Sequence, residues 1–456
     1  MKPISPDVFR TYDVRGIVDT DFDPEWVELF GQACGTFFLR HHFSRAVIGH
    51  DARLSSPAYH ERLAAGLAST GVSVISLGLL STPMCYFACR HYGTEAGIMV
   101  TASHNPPQFN GFKVVAGPST IFGAAIQDIY HLMCARDFCR GQETISRRDI
   151  NADYIATVVG STKLSRPLTV VVDGGNGAGG EVTATVLERI GARVIRLYCE
   201  PDGTFPHHHP DPVEEKNMAD LEKKVMATGA DCGFGIDGDG DRLGVVDETG
   251  KLLFGDQLLA IYARDVLAAH PGATIIGEVK CSHLTYRDIT AHGGHPVMAP
   301  TGHSLIKDRM WTTGALLAGE MSGHMFFADR YFGFDDATYA ALRFLEVLDG
   351  HPATSAHDLL ADWPATFNTP EIRRPCPDHL KNAVVAKLKE GFAGDYKIID
   401  IDGIRIVLPD GWGLVRASNT QPALVLRFEA GSRARLAEMR SVVETKLDQV
   451  LSSLGA

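Results

Sequence analysis

Val100-Thr101-Ala102-Ser103-His104-Asn105-Pro106 follows directly on the apolar run Ala96-Gly97-Ile98-Met99-Val100. An apolar run of that length broken by Asn-Pro-Pro reads as a buried strand stopping at a polar turn. A serine just past the end of a buried strand lies where open α/β sheets place their reactive groups. Taken alone, Ser103 is better read as a turn residue, because hydroxyl and amide side chains are routine in turns. Its company along the chain changes that reading.

Upstream, Phe9-Arg10-Thr11-Tyr12-Asp13-Val14-Arg15-Gly16 mixes aromatic and cationic residues ahead of a helix over Pro24–Arg40. A strand at Ala46–Ile48, a helix from Pro57 and a strand at Val72–Ser76 then give a βαβ rhythm leading into the Ser103 strand. Downstream, Gly111-Phe112-Lys113-Val114-Val115 reads as another short strand, carrying a lysine.

The same strand-then-polar-loop arrangement recurs twice. Cys232–Ile236 runs into Asp237-Gly238-Asp239-Gly240-Asp241-Arg242, and Ala315–Ala318 runs into Gly319-Glu320-Met321-Ser322-Gly323-His324. Three alternating carboxylates repel one another unless a cation binds them, and the intervening glycines let the backbone curl until all three face inward. An EF-hand loop would place Glu248 at its twelfth position, but Arg242 stands where the required sixth-position glycine belongs. The next residues, Leu243–Leu252, read as a hairpin. Hard oxygen ligands in a compact loop suit Mg²⁺ completed by phosphate oxygen.

Between these units, Leu168–Asp173 reads as a strand, Glu181–Ile190 as a helix and Arg193–Tyr198 as a strand. The turn Gly175-Asn176-Gly177-Ala178-Gly179-Gly180 satisfies G-x-G-x-x-G with Glu200 at the offset of a ribose-binding acid. A dinucleotide site is therefore one alternative, and a plain tight turn is the other. His207-His208-His209 sits between prolines, and adjacent histidines in an extended segment alternate faces, so they read as loop rather than metal site. Helices are expected over Met218–Ala227 and Asp256–Ala269, with a strand over Thr274–Val279 ending at Lys280.

Trp363–Pro377 reads as a proline-rich linker into a final segment of α+β texture, with helices over Pro377–Glu390 and Ser432–Leu451 flanking three strands. Within it, Arg416-Ala417-Ser418-Asn419-Thr420-Gln421-Pro422 offers a guanidinium, hydroxyls, an amide and turn N–H groups in a few residues. That is a cradle for an oxyanion, most naturally phosphate.

Composition narrows the field. A chain of 456 residues exceeds one core, and roughly three to four domains are expected. The segments read as 1–150, 151–252, 253–363 and 364–456, three similar α/β units around a shared cleft and a last α+β unit. A net charge of −12 without a Lys/Arg-rich block argues against nucleic acid. Neither a signal-peptide core nor a membrane-length apolar run is visible. Nine scattered cysteines without a Cys-x-x-Cys pair read as free thiols of a cytoplasmic protein.

Taken in series, the Thr101–Pro106, Asp237–Arg242, Gly319–His324 and Arg416–Pro422 motifs resemble those of the α-D-phosphohexomutase family, in family order and across nearly the whole chain. Ala102 stands where many members have glycine, and His207 where asparagine is common. The resemblance implies three similar α/β domains with mixed sheets plus a C-terminal domain like the TATA-binding protein. It implies reversible phosphoryl transfer between the 1- and 6-positions of mannose and glucose phosphates, with Ser103 carried as phosphoserine and glucose 1,6-bisphosphate as activator and intermediate. Asp237, Asp239, Asp241 and the phosphoserine are implied to hold Mg²⁺, with Arg242 and His104 adding charge or hydrogen bonds at the phosphate. Lys113, His303 and Arg15 are the implied candidates for moving the sugar hydroxyl's proton, a lysine or arginine base needing a lowered pKa. Glu320 and Ser322 are implied to bind the sugar's 3- and 4-hydroxyls. Gly302 and His324 are implied to line the same site, and Arg416, Ser418, Asn419 and Thr420, helped by Lys280 and Tyr12, to grip the phosphate that is not reacting. The partners expected are small hexose phosphates, bound as substrates by a monomer. Phosphoglucosamine mutase, a Ser103-dependent phosphatase and a non-catalytic sugar-phosphate binding protein are the alternatives, and the methionine at position 321 resembles that of enzymes for glucose and mannose phosphates.

Overall fold

The computed structural model describes residues 2–418 and 422–455, in four β-sheets. The first is built from β1 (Val14–Ile17), α1 (Pro24–Arg40), β2 (Arg45–His50), α2 (Ser56–Ala68), β3 (Ser73–Leu79), α3 (Thr82–His91), β4 (Ala96–Val100), β5 (Phe109–Ala116), β6 (Ser119–Thr120), α4 (Ala124–Ala135) and β7 (Ile145–Arg147). The second comprises α5 (Asn151–Val159), β8 (Thr169–Asp173), α6 (Gly180–Arg189), β9 (Arg193–Leu197), α7 (Glu215–Thr228), β10 (Cys232–Ile236), β11 (Leu243–Asp247) and β12 (Leu252–Leu253). The third has α8 (Gly255–Ala269), β13 (Thr274–Glu278), α9 (His283–Ala291), β14 (His295–Ala299), α10 (His303–Thr313), β15 (Leu317–Gly319), β16 (Met325–Phe327) and α11 (Ala337–Gly350).

These three sheets share one strand order. β3-β2-β4-β5, β9-β8-β10-β11 and β14-β13-β15-β16 each place three parallel strands beside a fourth that runs antiparallel. β4 and β10 are buried along their whole length, which is why both read as unbroken apolar runs. Each of β4, β10 and β15 ends at one of the three polar loops. Helices α3, α5, α6, α8 and α11 bury Phe87, Tyr154, Val186, Tyr262 and Phe344 in a single apolar interior joining all three units. A cleft walled by elements locked this way has fixed geometry.

The fourth unit holds β17 (Phe367–Asn368), β18 (Ile372–Pro375), α12 (Asp378–Phe392), β19 (Lys397–Ile399), β20 (Ile404–Leu408), β21 (Gly411–Ala417), β22 (Ala423–Ala430) and α13 (Arg433–Leu454). Here the linker reading of Trp363–Pro377 is corrected. β17 and β18 both pair antiparallel with β22, Phe367 opposite Ala430 and Ile372 opposite Leu426. Prolines fit because they fall outside a strand or at its last residue, Pro375, where no ladder N–H is demanded. The unit docks on the third through charge-rich contacts. Arg405 stacks over Trp412 at 3.8 Å and donates to the carbonyls of Val279 (2.7 Å) and Cys281 (2.8 Å), while Glu429 accepts from Ser282 Oγ at 2.9 Å. Among the described residues no helix is long and apolar enough to cross a membrane.

One buried group in the first unit makes stability depend on pH. Burial, aided by the neighbouring His50, pushes the His60 imidazole down to about 4. In the unfolded chain histidine titrates near 6.5, so the unfolded state takes up the proton first. Stability from neutral His60 is therefore present above pH 6.5 and lost as pH falls towards 4, at most about 3 kcal/mol. His60→Gln is expected to flatten that stretch of the pH profile of urea unfolding; an unchanged slope would contradict the assignment.

Candidate active site

Ser103 enters the site in a strained conformation. Its φ of 51° lies in the left-handed region, which a serine adopts only when its surroundings impose it. Thr101 Oγ1 accepts the Ser103 N–H at 2.8 Å, and the Ser103 hydroxyl donates to Asp237 Oδ2 at 2.7 Å while lying 3.1 Å from His104 Nδ1. The serine and aspartate loops can approach this closely because residue 238 is glycine. A Cβ there would sit 2.4 Å from the Ser103 carbonyl oxygen.

The aspartate loop folds around its first carboxylate. Asp237 Oδ1 accepts the N–H groups of Gly240, Asp241 and Arg242 at 3.0, 3.0 and 3.1 Å. Asp239 Oδ2 accepts from Thr82 Oγ1 and, at 2.7 Å, from Lys113 Nζ, which also bridges to Asp241. All three carboxylates are fully buried, and their ligand atoms lie within 4.8 Å of one another. Burial, then the neighbouring Asp239 and Asp241, pushes the Asp237 carboxyl well up, and Asp241 is raised by burial and Asp239. Asp239 is held below the usual range because Lys113 outweighs the cost of its burial. One ammonium cannot compensate three buried carboxylates. Asp239 Oδ1 and Asp241 Oδ1 have no hydrogen-bond partner. Orphaned, converging, hard oxygen atoms fit a divalent cation.

The Gly175–Gly180 turn packs against the back of this loop. A Cβ on Gly177 would lie 2.7 Å from the Gly238 carbonyl oxygen, and the Ala178 N–H donates to that oxygen at 3.0 Å. The aspartate loop thus fills the space that a dinucleotide pyrophosphate would need at this turn. His207 and His208 bond separately to Asn176 and Asp173, in line with the loop reading.

Across the cleft, Glu320 Oε1 accepts the Gly302 N–H at 2.7 Å and Ser322 Oγ lies 3.5 Å from Glu320 Oε2. Arg242 Nε donates to His324 Nε2 at 2.9 Å, so the proton of a neutral His324 resides on Nδ1, 3.0 Å from Asp335. Lys307 Nζ donates to Asp335 Oδ1 at 3.0 Å and stands 3.2 Å from His303 Nδ1. Burial, with Lys307 adding to it, drives the His303 imidazole well below its ordinary value, and burial with Arg242 does the same to His104. Both are neutral, so His104 contributes hydrogen bonding rather than charge. Lys113 departs from the expected lowered pKa. Burial pulls its ammonium down, but Asp239 and Asp241 more than compensate and hold it up.

The fourth unit closes the cleft. Arg416 Nε donates to Asp402 Oδ2 at 2.8 Å, and the same oxygen accepts the Thr301 N–H at 3.0 Å. Lys280 Nζ pairs with Glu371 at 3.3 Å, and on the opposite wall Arg15 donates to Asn105 Oδ1 at 2.9 Å. The cleft has a volume of about 780 Å³ and is lined by Tyr12, Arg15, Ser103, His104, Lys113, Arg242, Lys280, Gly302, His303, Glu320, Ser322, His324, Arg416 and Ser418. Asn419 and Thr420 lie outside the described residues. This concentration of guanidinium and ammonium groups in a chain of net charge −12 marks an anion site.

The comparisons with known proteins agree with this geometry. Family profiles for the phosphoglucomutase/phosphomannomutase alpha/beta/alpha domains I, II and III match residues 6–139, 152–250 and 254–367, and that for the C-terminal domain matches 371–446. The chain belongs to the phosphoglucomutase/phosphomannomutase family. A phosphomannomutase/phosphoglucomutase of Pseudomonas syringae pv. tomato is 44% identical over 454 residues, 99% of this chain and 97% of that relative. One from Pseudomonas aeruginosa is 42% identical over 448 residues, 98% and 96%. The crystal structure of a phosphoglucomutase/phosphomannomutase family protein from Burkholderia thailandensis superposes with a TM-score of 0.92 at 39% identity, covering 99% of this chain and 98% of that one.

Several residues that complete this phosphohexomutase cleft are invisible to motif reading. Asp335 and Lys307 orient the two histidines. Glu278 Oε2 accepts the Lys280 N–H and the Thr301 hydroxyl, both at 2.8 Å, and Asp402 and Glu371 hold the cations of Arg416 and Lys280. Asp335-Asp336 ahead of an apolar helical run is the one available signal, and only Asp336 is the helix cap it suggests.

Proposed function

We propose that this protein interconverts the 1- and 6-phosphates of mannose and glucose through a phosphoserine at Ser103 and a hexose 1,6-bisphosphate. The observation that carries the reading is the Ser103 hydroxyl 2.7 Å from the first aspartate of a buried carboxylate triad, facing a cation-lined cleft with a second anion grip at Arg416 on its far wall. Two separated phosphate sites are what a sugar bisphosphate requires. Asp237, Asp239, Asp241 and a phosphoserine oxygen would hold Mg²⁺. When bound, the ion would supply positive charge to the phosphate oxygens and so lower the barrier to phosphoryl transfer.

The chain's own residues supply the rest. Arg242 and His104 face the Ser103 end and stabilise charge on the transferring group. Lys113, which holds its proton, His303 and Arg15 are placed to hold or move the proton of the sugar hydroxyl. Glu320 and Ser322 read the 3- and 4-hydroxyls, and Arg416, Ser418, Asn419 and Thr420, with Lys280 and Tyr12, grip the distal phosphate, while Gly302, bonded to Glu320, and His324, bonded to Arg242, orient the sugar. Glu371 and Asp402 pair with Lys280 and Arg416 in this structure, and an incoming phosphate would compete for both cations. The fourth unit excludes water from the phosphoserine. The working form is read as a cytoplasmic monomer of units 1–150, 151–252, 253–363 and 364–456.

The test is initial-rate isomerisation of mannose, glucose and glucosamine 1-phosphates with Mg²⁺ and a trace of glucose 1,6-bisphosphate, with free phosphate monitored. Comparable kcat/KM for mannose and glucose, and little for glucosamine, is expected. Dominance of glucosamine phosphate would transfer the assignment to a phosphoglucosamine mutase. Phosphate release without isomerisation would make Ser103 the nucleophile of a phosphatase.

A further inference from the structure

Arg53 is wholly buried and does not line the cleft, yet it organises the loop that carries Ser103. Its Nε donates to Asp51 Oδ2 at 3.1 Å. One terminal nitrogen donates to the carbonyls of Pro106 (2.8 Å) and Phe109 (3.0 Å), and the other to those of Ser103 (2.7 Å) and Asn105 (2.6 Å). A guanidinium has five N–H groups, and all five are spent here, four of them on one seven-residue stretch. Asp51 completes the frame by accepting from Thr101 Oγ1 at 2.7 Å, and Thr101 Oγ1 in turn accepts the Ser103 N–H. From the second unit, the Phe205 ring lies 5.3 Å from the Arg53 guanidinium carbon.

The conformation under this clamp is one that serine does not choose. A left-handed φ at Ser103 persists only where the surroundings over-determine it, and the Arg53 contact to the Ser103 carbonyl acts on the peptide whose rotation sets the side-chain direction. Resting on the mutase reading, we propose that Arg53 is a positioning residue for phosphoryl transfer: it fixes the Ser103–Phe109 loop so that Oγ points at Asp237. Arg53 touches neither substrate nor the reacting atoms and acts through Ser103. Its loss moves the carrier oxygen while leaving Glu320, Ser322 and Arg416 in place, so turnover falls and apparent substrate affinity does not.

Lysine at position 53 keeps the charge but offers a single ammonium with three donors and no planar fork, so it cannot reach four carbonyls. Arg53→Lys, assayed well below its thermal midpoint, is expected to lose about a hundredfold in kcat, the scale of a misplacement near one ångström, with KM for glucose 1-phosphate within about threefold of wild type. Thr101→Val is nearly isosteric, removes the hydroxyl linking Ser103 to Asp51, and is expected to lower kcat about tenfold with the same unchanged KM. It decides the question if Arg53→Lys does not fold. Transfer from glucose 1,6-bisphosphate to Ser103, followed by intact mass, should slow in parallel. Folded variants with kcat near wild type, or with kcat and KM changing together, overturn the inference. Wild-type protein that does not isomerise hexose phosphates would instead remove the mutase reading itself, so the two failures are distinguishable.

Discussion

Ser103→Ala is expected to lower hexose-phosphate turnover at least about a hundredfold, because the covalent carrier disappears while every binding group stays. That factor corresponds to about 2.7 kcal/mol of transition-state stabilisation. The substitution is structurally mild. The Ser103 N–H to Thr101 and its carbonyl to Arg53 are backbone contacts that alanine retains, and a left-handed φ strains alanine much as it strains serine. The interactions lost are those of the hydroxyl, its hydrogen bond to Asp237 and its contact with His104 Nδ1. Thermal unfolding close to wild type is therefore expected alongside the loss of turnover, and intact mass after incubation with glucose 1,6-bisphosphate should show no added phosphate. Near-normal turnover in the folded variant would sink the phosphoserine mechanism.

Legibility of this fold in its sequence depends on what local chemistry determines. Three buried strands ending in polar loops can be read because a fully buried parallel strand is a continuous apolar run, and because glycines and alternating aspartates restrict what their loops can do. The aspartate triad is legible for the same reason, since three carboxylates in five residues need a cation wherever they fold. Arg53 is not legible. An arginine three residues past a strand reads as solvated, and only the tertiary placement of four carbonyls from a loop some fifty residues away reveals its job. Lys307, Asp335, Asp402 and Glu371 escape likewise, because the carboxylate or cation that each pairs with lies on another element. Prolines misdirect the reading of 363–377. Proline excludes a central strand, but β18 lies at a sheet margin. The place of Lys113 in the cleft is legible, whereas the direction of its pKa is not. The sequence shows a cation-rich cleft, but the fold puts this ammonium against Asp239 and Asp241.

That arrangement leads to the second large effect. Removing divalent metal by chelation is expected to abolish turnover, at least about a hundredfold, and to lower the thermal midpoint by a few degrees, both reversed by Mg²⁺. The stability arm follows from linkage. An ion that binds the folded carboxylates and not the unfolded chain stabilises by about 2.7 kcal/mol when present at a hundred times its dissociation constant. The chain should survive the ion's removal because Lys113 already bridges Asp239 and Asp241, supplying one of the charges the three carboxylates require. Asp239→Asn separates the two arms. It retains an acceptor for Thr82 but halves the negative charge facing Lys113, and it replaces a carboxylate whose Oδ1 has no protein partner. The variant is expected to fold, to lose the Mg²⁺-dependent shift of the thermal midpoint, and to turn over at least about a hundredfold more slowly at any Mg²⁺ concentration. An unchanged metal-dependent shift in Asp239→Asn would place the ion elsewhere. Full turnover in chelated wild-type protein would mean that Lys113, Arg242 and the cleft cations stabilise the transferring phosphoryl group unaided.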